Sequence, residues 1–270
     1  MKRNLLVICL SILFFSSFPM ATNAAAQSAP VKSSILLKLN QFYVVYTAPR
    51  APYIDSQNRL MVPLRSLSDL LAAKVTYDPV NKVAVISRQD NQNKGRSDNL
   101  KLTVGKKDIE INGVKSKMDT TPELIQGNMF IPLSVITKAL HIDTNWNKEE
   151  GMVTLQTDPA YLPSGVVSDE LHFVSGKLNL NVRPVSSTFR TRNNKGTPLA
   201  TVHLTSVNKG TTSLTSKDHL HFYIEDSHGP SYFDIYNKDL TKPGAKFTVQ
   251  TTNTLLAESL KYILVGAYTD

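Results

Sequence analysis

The sequence predicts an α+β module, built from a duplicated strand–helix–strand–strand unit, followed by an all-β sandwich of immunoglobulin-like type. Three observations predict it. The stretch RLMVPLRSLSDLLAAKVTYD at 59–78 returns in altered form as NMFIPLSVITKALHIDTNWN at 128–147. From about residue 171, short alternating apolar runs separated by turn residues replace any helical pattern. The single cysteine, Cys9, rules out a disulfide framework, so packed cores must hold the chain together.

The first residues form a separate segment. Met1-Lys2-Arg3 is a basic start, Leu5 to Phe15 is apolar, and Ser16, Ser17 and Pro19 break that run. Ala24-Ala25-Ala26 then supplies the small residues of a cleavage site, so residues 1–26 are expected to be a secretory signal peptide. The apolar run is too short for a full membrane span. The alternative is an uncleaved anchor. Cys9 lies inside the apolar core rather than after it, unlike a lipidation site. It would leave with the signal, and residues 27–270 would keep no thiol nucleophile or thiolate metal ligand. That length suits two domains.

The duplication rests on aligned positions. Pro63 and Pro132 stand 69 residues apart, and the same spacing carries Leu64 onto Leu133, Leu67 onto Ile136, Leu71 onto Leu140, Tyr77 onto Trp146 and Asp78 onto Asn147. Leu60-Met61-Val62 and Met129-Phe130-Ile131 read as strand ends. The following proline lacks the N–H a central strand needs, but it suits a first helical turn, where that N–H would be unpaired anyway. Leu64, Leu67 and Leu71, like Leu133, Ile136 and Leu140, then form one apolar stripe on a short helix. A strand with Val75 and Tyr77, or with Ile142, Thr144 and Trp146, comes next. The polar DPVNK and NKEEG are turns into a last strand, Val83-Ala84-Val85-Ile86 or Met152-Val153-Thr154-Leu155. Tyr77 and Trp146 are expected to be packing residues. Between the units, LKLTVGKKDIEINGV at 100–114 is a hairpin candidate with a tight turn at Asn112-Gly113. Residues 35–47 supply an equivalent first hairpin, and the polar stretch 88–99 reads as a loop between copies.

On these residues, RLMVPLRSLSDLLAAKVTYDPVNKVAVI at 59–86, INGV at 111–114, PELIQGNMFIPLSVITKAL at 122–140 and NWN at 145–147, the stretch 35–157 resembles the copper amine oxidase N-terminal-like domain, or stalk domain, of secreted Gram-positive proteins. There are departures: Ser134 stands where the first copy has Arg65, and Ala72 and His141 stand where a glycine is expected after each helix. The resemblance implies a non-catalytic module that positions or attaches something. It implies no copper, because amine oxidase chemistry belongs to a separate catalytic domain. That domain needs a tyrosine between Asn and Asp or Glu, a tripeptide missing from this sequence.

Residues 158–170 hold two prolines and read as a linker. Leu162-Pro163-Ser164-Gly165 lacks the threonine of a wall-sorting signal. Residues 171–270 are then expected to be the β-sandwich, with strands at 177–183, 200–207, 219–226, 232–236, 246–251 and 260–268. Residues 207–208, FYIEDSHG at 222–229 and KPGAKFTV at 242–249 resemble secreted proteinase-inhibitor β-sandwich domains.

Candidate chemistry is sparse. His219 and His221 lie two apart on a strand and share a face, so they are the candidate metal ligands, with Glu225 and Asp226 as oxygen donors. Two histidines make no complete ligand set, and the competing reading is a solvated face with Leu220, Phe222 and Ile224 turned to the core. The sequence has no G-x-S-x-G elbow, glycine-rich phosphate loop or carboxylate pair that could be nominated, so no catalytic residue and no cofactor are assigned. Tyr43, Tyr46, Tyr232, Phe233 and Tyr236 could stack on sugars, against the alternative that they are core. The formal charge of +8 suits wall polymers, lipid head groups and acidic glycans, or merely solubility. Its scatter along the chain argues against nucleic-acid binding. The expectation is therefore a secreted, cell-wall-associated, non-enzymatic binding or scaffold protein. It would have no membrane span after signal cleavage, and its partner would be a cell-wall polymer or envelope protein. Two alternatives stand: a proteinase inhibitor acting through a loop near 226–231, and a metal-binding protein or metal-dependent enzyme centred on His219 and His221.

Overall fold

The computed structural model describes residues 31–89, 97–162, 176–194, 197–251, 255–256 and 260–270. The expected signal peptide and residues 163–170 of the expected linker lie outside the described residues. The described chain is mostly β, in several sheets, with two seven-residue helices, α1 (Leu64–Leu70) and α2 (Leu133–Ala139).

The prolines act as the sequence predicts. The strands Leu60–Pro63 and Asn128–Pro132 each end on the proline that N-caps the next helix. The helical stripes are fully inside: Leu67, Leu71, Ile136 and Leu140 are each 0% exposed. Each helix closes by the same hydrogen bond, in which the second residue past the cap donates to a carbonyl in the helix's last turn: Ala73 to Ser68 (2.8 Å) and Ile142 to Thr137 (2.9 Å). This closure needs a left-handed residue between, and Ala72 (φ 53°) and His141 (φ 51°) provide it. The glycine expected there is missing, yet the conformation glycine favours is kept. The spacing of 69 also links two further left-handed pairs, Asn58 with Gly127 and Lys82 with Gly151.

After each helix an antiparallel pair follows, Lys74–Asp78 with Val83–Gln89, and Asp143–Asn147 with Met152–Gln156. The turns are held by the acidic or amide residue that starts them. Asp78 Oδ1 accepts from the N–H groups of Val80 and Asn81, and Asn147 Oδ1 from that of Glu150. The first pair extends through strands Ser97–Thr103, Asp108–Ile111 and Val114–Lys117 into a five-stranded sheet, with the last turn at Asn112-Gly113.

The strands before the helices pair with each other. Val62 faces Ile131, Met61 faces Pro132 and Pro63 faces Phe130. Val62 and Ile131 are themselves one spacing of 69 apart, so this antiparallel register is symmetric about a position and its own counterpart.

An eight-stranded sheet joins the two halves of the chain. Its order runs from Asp143–Asn147 through Met152–Gln156, Leu37–Leu39, Phe42–Thr47, Leu260–Thr269 and Asp218–Asp226 to Gly229–Tyr236, with Lys177–Leu178 added on Leu260–Thr269. One face of this sheet contributes Val44, Leu264, Tyr262 and Tyr223 to a core shared with both helices. The other contributes Val45, Ile263, Val265 and Phe222 to a second core, shared with Val182, Val202 and Leu204 of a five-stranded sheet. That sheet contains the first described strand, Val31–Ser34, paired to Val182–Asn194. Segments expected in different domains therefore share sheets and cores.

The polar stretch 88–99, expected as a loop, holds strand residues at both its ends. Arg88 and Asp98 are buried and ion-paired at 3.3 Å. The Arg88 guanidinium also donates to the Leu140 carbonyl at the end of α2 and lies 4.4 Å from the Tyr161 ring centre. His141 Nδ1 sits 3.0 Å from Asp98. At the start of the expected linker, Tyr161 and Leu162 are buried.

Candidate functional site

The aromatics that sequence reasoning nominated for binding are mostly core. Tyr43 and Tyr46 are buried, and Tyr46 stacks on Phe189 at 4.4 Å. Burial pushes both phenols up to about 12, because the charged form would lose its hydration. Phe233 packs on Phe222, and only Tyr236 of the nominated set is exposed.

His219 and His221 do share a face, but that face is not solvated. The two are 2% and 3% exposed. Tyr236 lies 4.7 Å and Tyr268 5.9 Å from the His219 ring, and Tyr232 lies over His221. Asp234, on the neighbouring strand, sits 2.9 Å from His221 Nδ1 and 3.7 Å from His219 Nε2. Alternation along one strand places the apolar residues inward, but it cannot show that neighbouring tyrosines cover the other face. Among the described residues no group of three His, Cys, Asp or Glu could hold a metal ion. The stretch expected to carry an inhibitory loop is a two-residue hairpin turn: Asp226 pairs with Gly229, and Asp226 Oδ1 accepts from the His228 N–H.

Two corresponding clefts lie where the two helix-bearing units meet, apart from a larger one between residues 235–239 and 247–251. Tyr77 and Trp146, expected to be packing residues, are 40% and 53% exposed. Each stands on an outer strand of its sheet, Lys74–Asp78 or Asp143–Asn147, where among the described residues no further strand covers it. Each also lines a cleft. The first is walled by Leu64, Tyr77 and Ala84 on one side and by Gly127, Asn128 and Met129 on the other. The second is walled by Leu133, Trp146 and Val153 on one side and by Asn58, Arg59 and Leu60 on the other.

These walls correspond position for position at the spacing of 69. Tyr77 answers to Trp146, Ala84 to Val153, Asn58 to Gly127 and Leu60 to Met129. Each cleft thus takes its aromatic wall from one unit and its turn from the other, as the symmetric pairing at Val62 and Ile131 requires. The clefts differ in chemistry. Arg65 lines the first, and its counterpart Ser134 lines the second. Arg59 in the second is held by Asp55 at 2.7 Å and lies 3.6 Å from Asp119. The Arg59 backbone N–H first, then its guanidinium and the Gln57 N–H, keep the Asp55 carboxyl below its usual range. The second cleft is the roomier, at about 400 Å³ against about 70 Å³. Among the described residues neither cleft is lined by His, Cys, Asp or Glu. A groove built this way can stack a ring and hydrogen-bond its rim, but it offers no general base. The repeat alignment carried the signal for both clefts. Reading equivalent positions as buried obscured it.

Residues 39–155 match the family model of the copper amine oxidase N-terminal domain, a non-catalytic, stalk-type domain. The match covers under half of the chain and takes in both clefts. Neither the curated proteins nor the solved structures contain a match to this chain.

Proposed function

We propose that this protein is a secreted, non-catalytic binding or scaffold protein that associates with the cell envelope. The α+β half is a duplicated strand–helix–strand–strand module, and the C-terminal half is an immunoglobulin-like sandwich fused to it through the eight-stranded sheet. The observation that carries the reading is the pair of matching clefts with exposed Tyr77 and Trp146. Such amphipathic rings are the side chains that interfaces use most, and here each lines a cleft rather than standing alone on a flat surface. The match to a stalk-type domain and the formal charge of +6 on residues 27–270, which is +8 less Lys2 and Arg3, support attachment rather than catalysis.

The test is sedimentation of purified residues 27–270 with intact bacterial cell walls across a salt series. Binding at low salt is expected. Loss of binding as salt rises would mark charge as the main attraction, since exposed charges are screened within about 10 Å at 0.1 M salt. Protein left in the supernatant at every salt concentration would refute envelope association.

A further inference from the structure

We infer that the two clefts bind successive segments of one acidic glycan, with a sugar ring stacked on Tyr77 in the first and on Trp146 in the second. The inference rests on the reading of the protein as an envelope-binding module and supplies its ligand. Three observations carry it.

The first is chemical. Each cleft sets an exposed aromatic face beside hydrogen-bonding groups: Asn128 and Arg65 in one; Ser134 and Thr144 in the other. A sugar has an apolar C–H face and an equatorial rim of hydroxyls, and it needs this combination. An apolar peptide or lipid tail would strip water from the exposed Arg65, Ser134 and Thr144 without replacing those hydrogen bonds, at a cost.

The second is charge. No carboxylate lines either cleft among the described residues, and residues 27–270 carry a formal +6, the full +8 less Lys2 and Arg3. Arg65 is exposed at the mouth of the first cleft. Arg59 in the second is neutralised by Asp55. The first cleft therefore reads the acidic group, and the second contributes ring stacking and hydroxyl contacts.

The third is symmetry. Two corresponding clefts, related by the symmetric pairing at Val62 and Ile131, suit a ligand that repeats. Binding at one cleft raises the effective concentration of the polymer at the other, which strengthens polymer binding without any new contact.

The sequence provides a direct probe. Trp146 is the only tryptophan in the chain, so intrinsic fluorescence reports occupancy of the second cleft. The experiment titrates residues 27–270 with polygalacturonate, with a short galacturonate oligomer and with neutral dextran. Saturable quenching and a blue shift are expected with both acidic ligands, and the polymer should bind at least tenfold tighter than the oligomer. Tyr77→Ala should abolish the polymer's advantage while leaving the oligomer's effect on Trp146 intact. Arg65→Gln should flatten the salt dependence. An unchanged Trp146 emission at saturating polygalacturonate, dextran bound as tightly as polygalacturonate, or full polymer affinity in Tyr77→Ala would each overturn the proposal. The outcomes separate from those of sedimentation. Wall binding with a silent Trp146 removes the cleft assignment and keeps the envelope role. A Trp146 response without wall binding does the reverse.

Discussion

Replacing Arg88 with leucine tests the packing of the repeat units most sharply. Arg88 and Asp98 keep only 7% and 8% of their side-chain surface, and they pair at 3.3 Å. The same guanidinium donates to Leu140, closing the C-terminal end of α2, where a positive charge also meets the negative end of the helix dipole. In Arg88→Leu the Asp98 carboxylate stays buried beside His141 but without its guanidinium, and the Leu140 carbonyl loses a donor. Removing one partner of a buried pair costs about 3–5 kcal/mol, and His141 beside Asp98 places the expected loss toward the lower end of that range. For a chain of this size that corresponds to a fall in melting temperature of roughly 6–20 °C. Removing both charges, in Arg88→Leu with Asp98→Leu, should restore most of the loss, since a buried pair is often replaceable by apolar groups. Urea unfolding followed by far-ultraviolet circular dichroism gives both values, provided the slope against urea stays constant. A single-variant loss below about 1 kcal/mol, or a double variant no more stable than the single, would refute a buried, interdependent pair.

Three further outcomes follow from the same geometry. Ala72→Gly should stabilise the fold by about 0.5–1 kcal/mol by relieving a left-handed alanine, while Gly151→Ala should destabilise it by a similar amount; thermal melts of the two variants should move in opposite directions. Ile131→Ala, at the fully buried centre of the symmetric pairing, should cost about 2–5 kcal/mol in urea unfolding. Stability should also fall between about pH 10 and 12. The buried phenols of Tyr43 and Tyr46 ionise near 12 in the fold, against about 10 when unfolded, so the unfolded chain releases its protons first and gains from rising pH. The loss should be on the order of a few kcal/mol, measured by urea titration at each pH, and phenolate absorbance should appear in two separated phases.

Much of the local structure was legible. Proline after an apolar run, followed by leucines at spacings of three and four, can hardly serve anything but a strand feeding a short helix, and both helices sit where that pattern places them. Asn112-Gly113 likewise fixes its turn. Long-range pairing was not legible. Nothing local in VKSS tells Val31–Ser34 to pair with Val182–Asn194, nor Phe42–Thr47 to pair with Leu260–Thr269. The strand Val182–Asn194 is rich in Ser, Thr, Arg and Asn, so its hydrophobic signal is weak over most of its length. Arg88 and Asp98 look like loop residues because each is charged, and only their pairing permits burial. At the clefts, equivalence of Tyr77 and Trp146 was visible, but exposure depends on both strands lying at sheet edges, which is a property of the assembled sheets.

The most direct measurement is sedimentation with intact cell walls at 0.15 M salt, comparing wild type with the Tyr77→Ala/Trp146→Ala double variant. Both side chains are exposed, so the variant should melt within a degree or two of wild type and its binding can be compared directly. Wild type is expected in the pellet, and the double variant should need at least tenfold more wall material for half-maximal binding. Equal sedimentation of the two proteins, or none by either, would contradict a module that holds the envelope through its paired clefts.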